Sequence, residues 1–266
     1  MFSFLKSVSI LKPIVENFLL IKTLAYRDIS SRYKGSMLGI LWSLLNPLFM
    51  LLVYTFIFGV VFKARWDIES NSHTDFSIIL FSGLIIFYIF SDSISRSSTL
   101  ILDNANYVKK VLFPLEVLPF IILGNTLFQF LLNFIILMIA YTIFVGIPHI
   151  EIILFPIILL PYCIFLVALI WVISAIGVYF RDISQIVNIL IMSSMFLTPI
   201  FYKVSMIPES FRSYIFVNPI TTPVEMFRNL FLYGQLPNLT SYFIFFTLSF
   251  IFASISLAIA GFSFKN

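Results

Sequence analysis

Charge is scarce in this sequence: 11% of its 266 residues are charged, against roughly 25% in a soluble globular domain. So small a polar complement cannot cover a water-facing surface, and with 61% hydrophobic residues lipid becomes the natural solvent. Cysteine occurs once, as Cys163, which excludes an internal disulfide and leaves the redox compartment unspecified. No glycine is followed by lysine, so the Gly-rich loop that cradles nucleotide phosphates is missing and no ATPase site is expected. The two histidines, His73 and His149, are far apart and have no partners at ligand spacing, so neither a metal site nor a nucleophile–base pair is expected. No internal repeat or inverted symmetry of the secondary-transporter kind is visible.

Long apolar runs, by contrast, are abundant. A run of about 18 residues or more reads as a transmembrane helix. The candidates are Leu38–Phe62, Ser77–Ser95, Pro119–Val145, Ile152–Phe180, Ser184–Tyr202 and Tyr242–Phe262. The expected fold is an all-α integral membrane protein of six transmembrane helices over residues 38–266, after a cytoplasmic segment over residues 1–37. Lys6, Lys12, Lys22, Arg27, Arg32 and Lys34 crowd ahead of the first run, and the positive-inside preference keeps them in the cytoplasm. Six spans then bring Arg96, Lys109, Lys110, Arg181 and Lys265 to the same side, leaving Lys63, Arg65, Lys203, Arg212 and Arg228 outside. Both termini are therefore expected inside, with His73 and Asn238 outside. Lys6, Lys12 and Glu16 interrupt the N-terminus, which does not read as a cleavable signal. The net charge of +4 follows from this basic cluster and points to topology and anionic lipid, not to nucleic acid.

Between the runs, Val15–Ser36 mixes apolar and charged positions, which fits either an amphipathic helix at the cytoplasmic interface or a simple basic flank. The cytoplasmic loop Arg96–Leu118 offers Ser97, Ser98 and Thr99 as caps, then Leu100–Val111 without proline or glycine. That pattern fits a short rigid helix, or a solvated basic loop that enforces topology. Between the fifth and sixth runs, one short helix is expected from Pro208 to Asn218-Pro219. A second is expected to open at Thr222-Pro223-Val224-Glu225, with Thr222 as N-cap, and to close at Gly234. Both are rich in aromatics, too short to span and too apolar for a solvated loop, and read as re-entrant on the outer side.

Polar residues inside the runs carry the chemistry. Asn125, Gln129 and Asn133 recur every four residues on one helix face, either as glue between helices or as part of a polar path. Gly35, Gly39, Trp42, Asn46 and Phe49 share roughly one face of the first run, and Gln185, Asn188, Met192, Met195 and Pro199 form a weaker stripe in the fifth. Aromatic rings stack on sugar faces and amides bond hydroxyls, so the mixture suits a carbohydrate better than an ion. Asp92 lies four residues before Arg96, an ion-pair spacing that argues against a proton relay. Asp67, Glu69 and Asp75 in the first outer loop leave a membrane glycosyltransferase as an alternative, and a proton-coupled lipid-sugar flippase is another.

Three stretches carry a specific resemblance: Arg27-Asp28 with Arg32-Tyr33-Lys34-Gly35-Ser36 running into Leu38-Gly39-Ile40-Leu41-Trp42-Ser43-Leu44-Leu45-Asn46-Pro47; Tyr179-Phe180-Arg181-Asp182-Ile183; and Asn218-Pro219-Ile220-Thr221 through Glu225-Met226-Phe227-Arg228. They resemble the permease subunits of ABC transporters that export O-antigen, capsule or teichoic acid chains, and the likeness covers essentially the whole chain. The resemblance implies a homodimer with two separate ABC ATPase subunits, which carry the ATP and magnesium, and a cargo of polysaccharide linked to undecaprenyl diphosphate in the bacterial inner membrane. It implies a path walled by the first and fifth spans, with Trp42, Asn46, Phe49, Asn188, Phe196 and Tyr202 along it. Arg32, Lys34 and Arg181 would then stand at the cytoplasmic mouth. It also implies that Leu100, Ile101, Asn104, Tyr107 and Val108 dock in an ATPase groove.

Overall fold

The computed structural model describes residues 15–32, 34–62, 73–108 and 113–263, without the side chains of 73–75, 108, 262 and 263. Every regular element among them is helical. Lys6, Lys12, Tyr33, Lys63, Arg65, Asp67, Glu69, Lys109, Lys110 and Lys265 lie outside the described residues, as do the side chains of His73, Asp75 and Val108.

The chain opens with α1 (Phe18–Arg32) and turns at Gly35 and Gly39, whose φ of 87° and 52° suits residues without a Cβ. Helix α2 (Trp42–Tyr54) follows a 3₁₀ turn, Gly39–Leu41, and continues as a π-helical stretch, Thr55–Val61. The long α3 (His73–Ser97) leads into two single-turn helices, α4 (Leu100–Asp103) and α5 (Ala105–Val108). Then come α6 (Leu118–Phe144), α7 (Phe155–Tyr179), α8 (Ile183–Leu197), α9 (Glu209–Ile215), α10 (Thr221–Tyr233) and α11 (Leu239–Ser263).

Five helical stretches are long and apolar enough to cross a membrane: Gly39–Val61, Phe76–Ser97, Leu115–Phe144, Ile150–Tyr179 and Leu239–Gly261. Helix α3 is central, with 83% of its apolar window buried, and α6, α7, α8 and α10 pack around it. The stretch containing α2 is peripheral, with 17% buried. Helix α8 is shorter, because Pro199 pushes the residue before it out of the helical region: Thr198 is extended at φ −85°, ψ 138°. The expected fifth span, Ser184–Tyr202, is therefore a 15-residue helix followed by a turn.

Two prolines interrupt long helices, and both interruptions are repaired from outside. A proline at position i removes the N–H that would bond the carbonyl at i−4, and in lipid such a carbonyl must find another donor. Pro47 frees the carbonyl of Ser43, which accepts from Gln129 Nε2 of α6 at 3.0 Å. Pro161 frees the carbonyl of Ile157, which accepts from the Tyr242 hydroxyl of α11 at 3.0 Å. The same logic holds α10 in place. Arg228, 2% exposed, donates to the carbonyls of Pro199 and Ile200 and to Glu225 at 2.7 Å, just beyond the break that Pro199 makes. Burial raises the Glu225 carboxyl and lowers the Arg228 guanidinium, each opposed by the other's charge.

Several expectations need correction. Helix α10 starts at Thr221, two residues before the expected Pro223, and its N-cap is Ile220 with no side-chain cap: Thr221 Oγ1 donates to the Ile215 carbonyl, and Glu225 turns to Arg228. Gly234 does close it, left-handed at φ 60°. Gly35 and Gly39 sit in the turn before α2, so the face they were expected to share with Trp42, Asn46 and Phe49 does not exist as one helical surface. The expected rigid helix from Leu100 is broken at Asn104, where φ −106° and ψ 24° leave the helical region.

Candidate functional site

Four helices, α2, α3, α6 and α8, enclose an open cavity of about 470 Å³. One wall is polar because α3 turns Tyr88, Ser91, Asp92 and Ser95 toward it, at spacings of three and four that put them on one helix face. Thr126, Gln129 and Asn133 of α6 stand opposite, and α2 and α8 contribute Asn46 and Asn188. Ile85, Ile89, Phe130 and Ile191 supply the apolar remainder. Asn133 is 4% exposed, and its Oδ1 has no hydrogen-bond partner among the described residues. The Tyr88 hydroxyl meets that of Tyr54 at 3.2 Å.

At one end of the cavity Arg32 Nη2 donates to both carboxylate oxygens of Asp92, at 3.0 and 3.1 Å, with each side chain about a third exposed. The expected pair within α3 is thus replaced. Asp92 pairs with Arg32 of α1, whereas Arg96 pairs with Asp28 of the same helix at 2.7 Å. Asn125 adds a hydrogen bond to Asp28 at 2.6 Å. These crossed pairs fasten α1 to α3 and α6. Of the amide stripe, Asn125 and Gln129 join helices, and Gln129 and Asn133 also line the cavity.

Of the expected path residues, the structure brings Asn46 and Asn188 to this cavity and Arg32 to its end. Trp42, 40% exposed, and Phe49, 55% exposed, face outward from α2. Phe196 stacks on Phe201 at 5.9 Å, and Tyr202 donates to the Phe196 carbonyl at 3.0 Å, both away from the lining. Lys34 and Arg181 are exposed in the turns after α1 and α7. Tyr88, Ser91, Ser95 and Thr126 line the cavity without having been expected there, although the spacing of the first three is a polar face readable in the sequence.

The expected ATPase-docking set divides. Leu100 and Ile101 are buried in the core against α7, so neither faces outward. Asn104 bonds the Leu100 carbonyl, and Tyr107 stacks on Phe113 at 4.6 Å while accepting a hydrogen bond from Arg27. The outward surface of this loop is Leu102, Asp103, Ala105 and Asn106.

The sequence profile of the ABC-2 type transporter family matches residues 19–232, which include all four helices of the cavity. The chain belongs to the ABC-2 type transporter family. Among curated relatives of this ABC-2 chain, an O-antigen export system permease protein RfbA from Myxococcus xanthus is 32% identical over 221 residues, 82% of each chain. A namesake from Klebsiella pneumoniae is 32% identical over 246 residues, 91% of each. The polysialic acid transport protein KpsM of Escherichia coli is 27% identical over 246 residues, covering 89% of this chain and 91% of that one.

Proposed function

We propose that this chain is the membrane permease subunit of an ATP-driven exporter, and that it carries a lipid-linked polysaccharide of the O-antigen or capsule type. The observation that carries the reading is the cavity between α2, α3, α6 and α8, in which amides and hydroxyls face an apolar wall and an arginine stands at one end. Amides and hydroxyls bond sugar hydroxyls, and an arginine guanidinium suits a diphosphate. The relatives' names favour the same cargo class.

In this reading the Arg32 end is cytoplasmic, both termini are inside, and α9 with α10 forms a re-entrant pair on the outer side. Helix α8 is the sixth crossing. Its 15 residues reach about 22 Å, and the turn through Tyr202, anchored by Arg228, completes the distance. ATP and magnesium bind to two partner subunits, and two copies of this chain form the conduit for a chain on undecaprenyl diphosphate.

Purification of the chain from its native cell tests the assembly: a P-loop ATPase is expected to copurify, and a preparation with none sinks the proposal. Asn188→Leu tests the path, since Asn188 is exposed and lines the cavity, so its replacement is expected to leave the packing intact. Surface polysaccharide is expected to fall several-fold at unchanged membrane levels of the protein, and undiminished export would remove the cavity from the path.

A further inference from the structure

A second cavity, of about 110 Å³, lies between α1, the α4–α5 loop and the start of α6. Its floor is apolar, with Leu24, Leu118 and Ile122. Its polar lining is Arg27, Asp28, Ser31, Arg96, Asn104 and Tyr107. Two guanidinium groups thus face one carboxylate, and that carboxylate is already used: Asp28 Oδ2 accepts from Arg96 at 2.7 Å and from Asn125 at 2.6 Å.

One positive charge is left over. Arg27 has no carboxylate partner among the described residues; it donates to the Tyr107 hydroxyl and lies 5.5 Å from the centre of that ring. The Nη1 of Arg96 is buried and has no hydrogen-bond partner among the described residues. A buried guanidinium N–H without an acceptor is costly. An anion in the cavity would accept from it and balance Arg27. The space, about 110 Å³, exceeds the roughly 10–15 Å³ that one water requires and admits a tetrahedral oxyanion.

We propose that this cavity is a phosphate-binding site, filled by a phosphodiester or by free phosphate, that joins α1 to the α4–α5 loop. The two arginines bond the phosphate oxygens, with Ser31 and Tyr107 at the rim. An anionic phospholipid headgroup is one source, since the cavity lies beside α1, whose Phe18, Leu19 and Tyr26 are exposed apolar surface. This site is separate from the larger cavity and does not depend on the cargo assigned above.

The test is native mass spectrometry of the full chain with its copurified partner subunits in maltoside micelles, titrated with phosphatidylglycerol and, separately, with inorganic phosphate at fixed ionic strength. At least one probe is expected to bind at one molecule per chain and to lose affinity at least tenfold in Arg27→Gln. Lys22→Gln, a cation exposed on the same helix outside the cavity, is expected to leave binding unchanged. Arg96→Gln also breaks the Asp28 pair, so Arg27→Gln, whose side chain reaches the surface, carries the decision. Binding of phosphatidylglycerol alone identifies a lipid headgroup, and binding of inorganic phosphate with the same Arg27 dependence identifies a site open to the soluble ion. The proposal is overturned if neither probe binds, if Arg27→Gln binds like the parent, or if Lys22→Gln loses as much affinity; the cavity then holds water only.

Discussion

Gln129 illustrates how one polar side chain in an apolar helix acquires its role from a residue in another helix. Its bond to the Ser43 carbonyl exists because Pro47 cannot supply the N–H that would otherwise close that turn. Gln129→Leu therefore strands a carbonyl, and the expected cost is about 1–3 kcal/mol, read as a lower unfolding temperature in detergent. In a Pro47→Ala background the backbone N–H returns and Gln129→Leu is expected to be nearly neutral. Equal destabilisation in both backgrounds would refute the repair. Tyr242 and Pro161 form an independent second case, in which Tyr242→Phe is expected to be harmful only while Pro161 is present. Sequence alone shows the amide and the proline but not that they meet, because residues 43 and 129 are brought together only by the packing of α2 on α6. The partners of Asp92 and Arg96 were illegible for the same reason. Local spacing favours the pair within α3, yet α1 presents Asp28 and Arg32 one helical turn apart, and the crossed arrangement satisfies four charges at once.

Whole helices were legible where apolar length decided the matter, as with α3, α6, α7 and α11. Legibility failed where a backbone detail decided it. The end of α8 at Leu197 follows from Pro199 and could have been read, but the break at Asn104 has no such marker. What fixes the α4–α5 loop is its approach to α7: a Cβ placed on Gly177 would lie 2.2 Å from the carbonyl oxygen of Ser98. Backbone cannot yield as a side-chain tip can, so Gly177→Ala must push the loop away from α7 and loosen Leu100 and Ile101. The expected outcome is faster proteolysis within residues 98–108 and weaker retention of partner ATPase subunits, with the remaining helices still inserted. A mutant loop as protease-resistant as the parent's would show that the close approach is dispensable. By contrast Gly83, whose added Cβ would meet Arg228 Nη2 at 2.6 Å, faces the end of a side chain. Gly83→Ala is expected to be milder, because the guanidinium keeps its bonds to Pro199 and Glu225 while Nη2 leaves Ile200.

At the scale of the whole molecule, burial among the described residues is uneven, and the unevenness bears on how the larger cavity is closed. Helix α3 is enclosed, whereas α2 and α8, which form one side of the larger cavity, expose Phe49, Leu52, Ile189, Met192 and Phe196, and the π-helical stretch after α2 exposes Phe56. Exposure to lipid is ordinary for a span, and α11 shows it with Leu248, Ile251 and Ile255. The two surfaces differ in what lies behind them: α11 backs onto the closed core through α7, while α2 and α8 back onto an open polar cavity. Lipid against that opening would leave the amides of Asn46 and Asn188 facing hydrocarbon, which is unfavourable without partners. A second copy applied to the α2–α8 side would close the opening and convert two half-cavities into one enclosed passage. The expectation is that Phe49→Cys, in a chain whose Cys163 has been replaced by serine, forms a cross-linked dimer in native membranes on mild oxidation. Ile251→Cys, equally exposed on α11, is expected to stay monomeric under the same conditions. Cross-linking at 251 with none at 49 would place the partner on the other face and leave the cavity open to lipid.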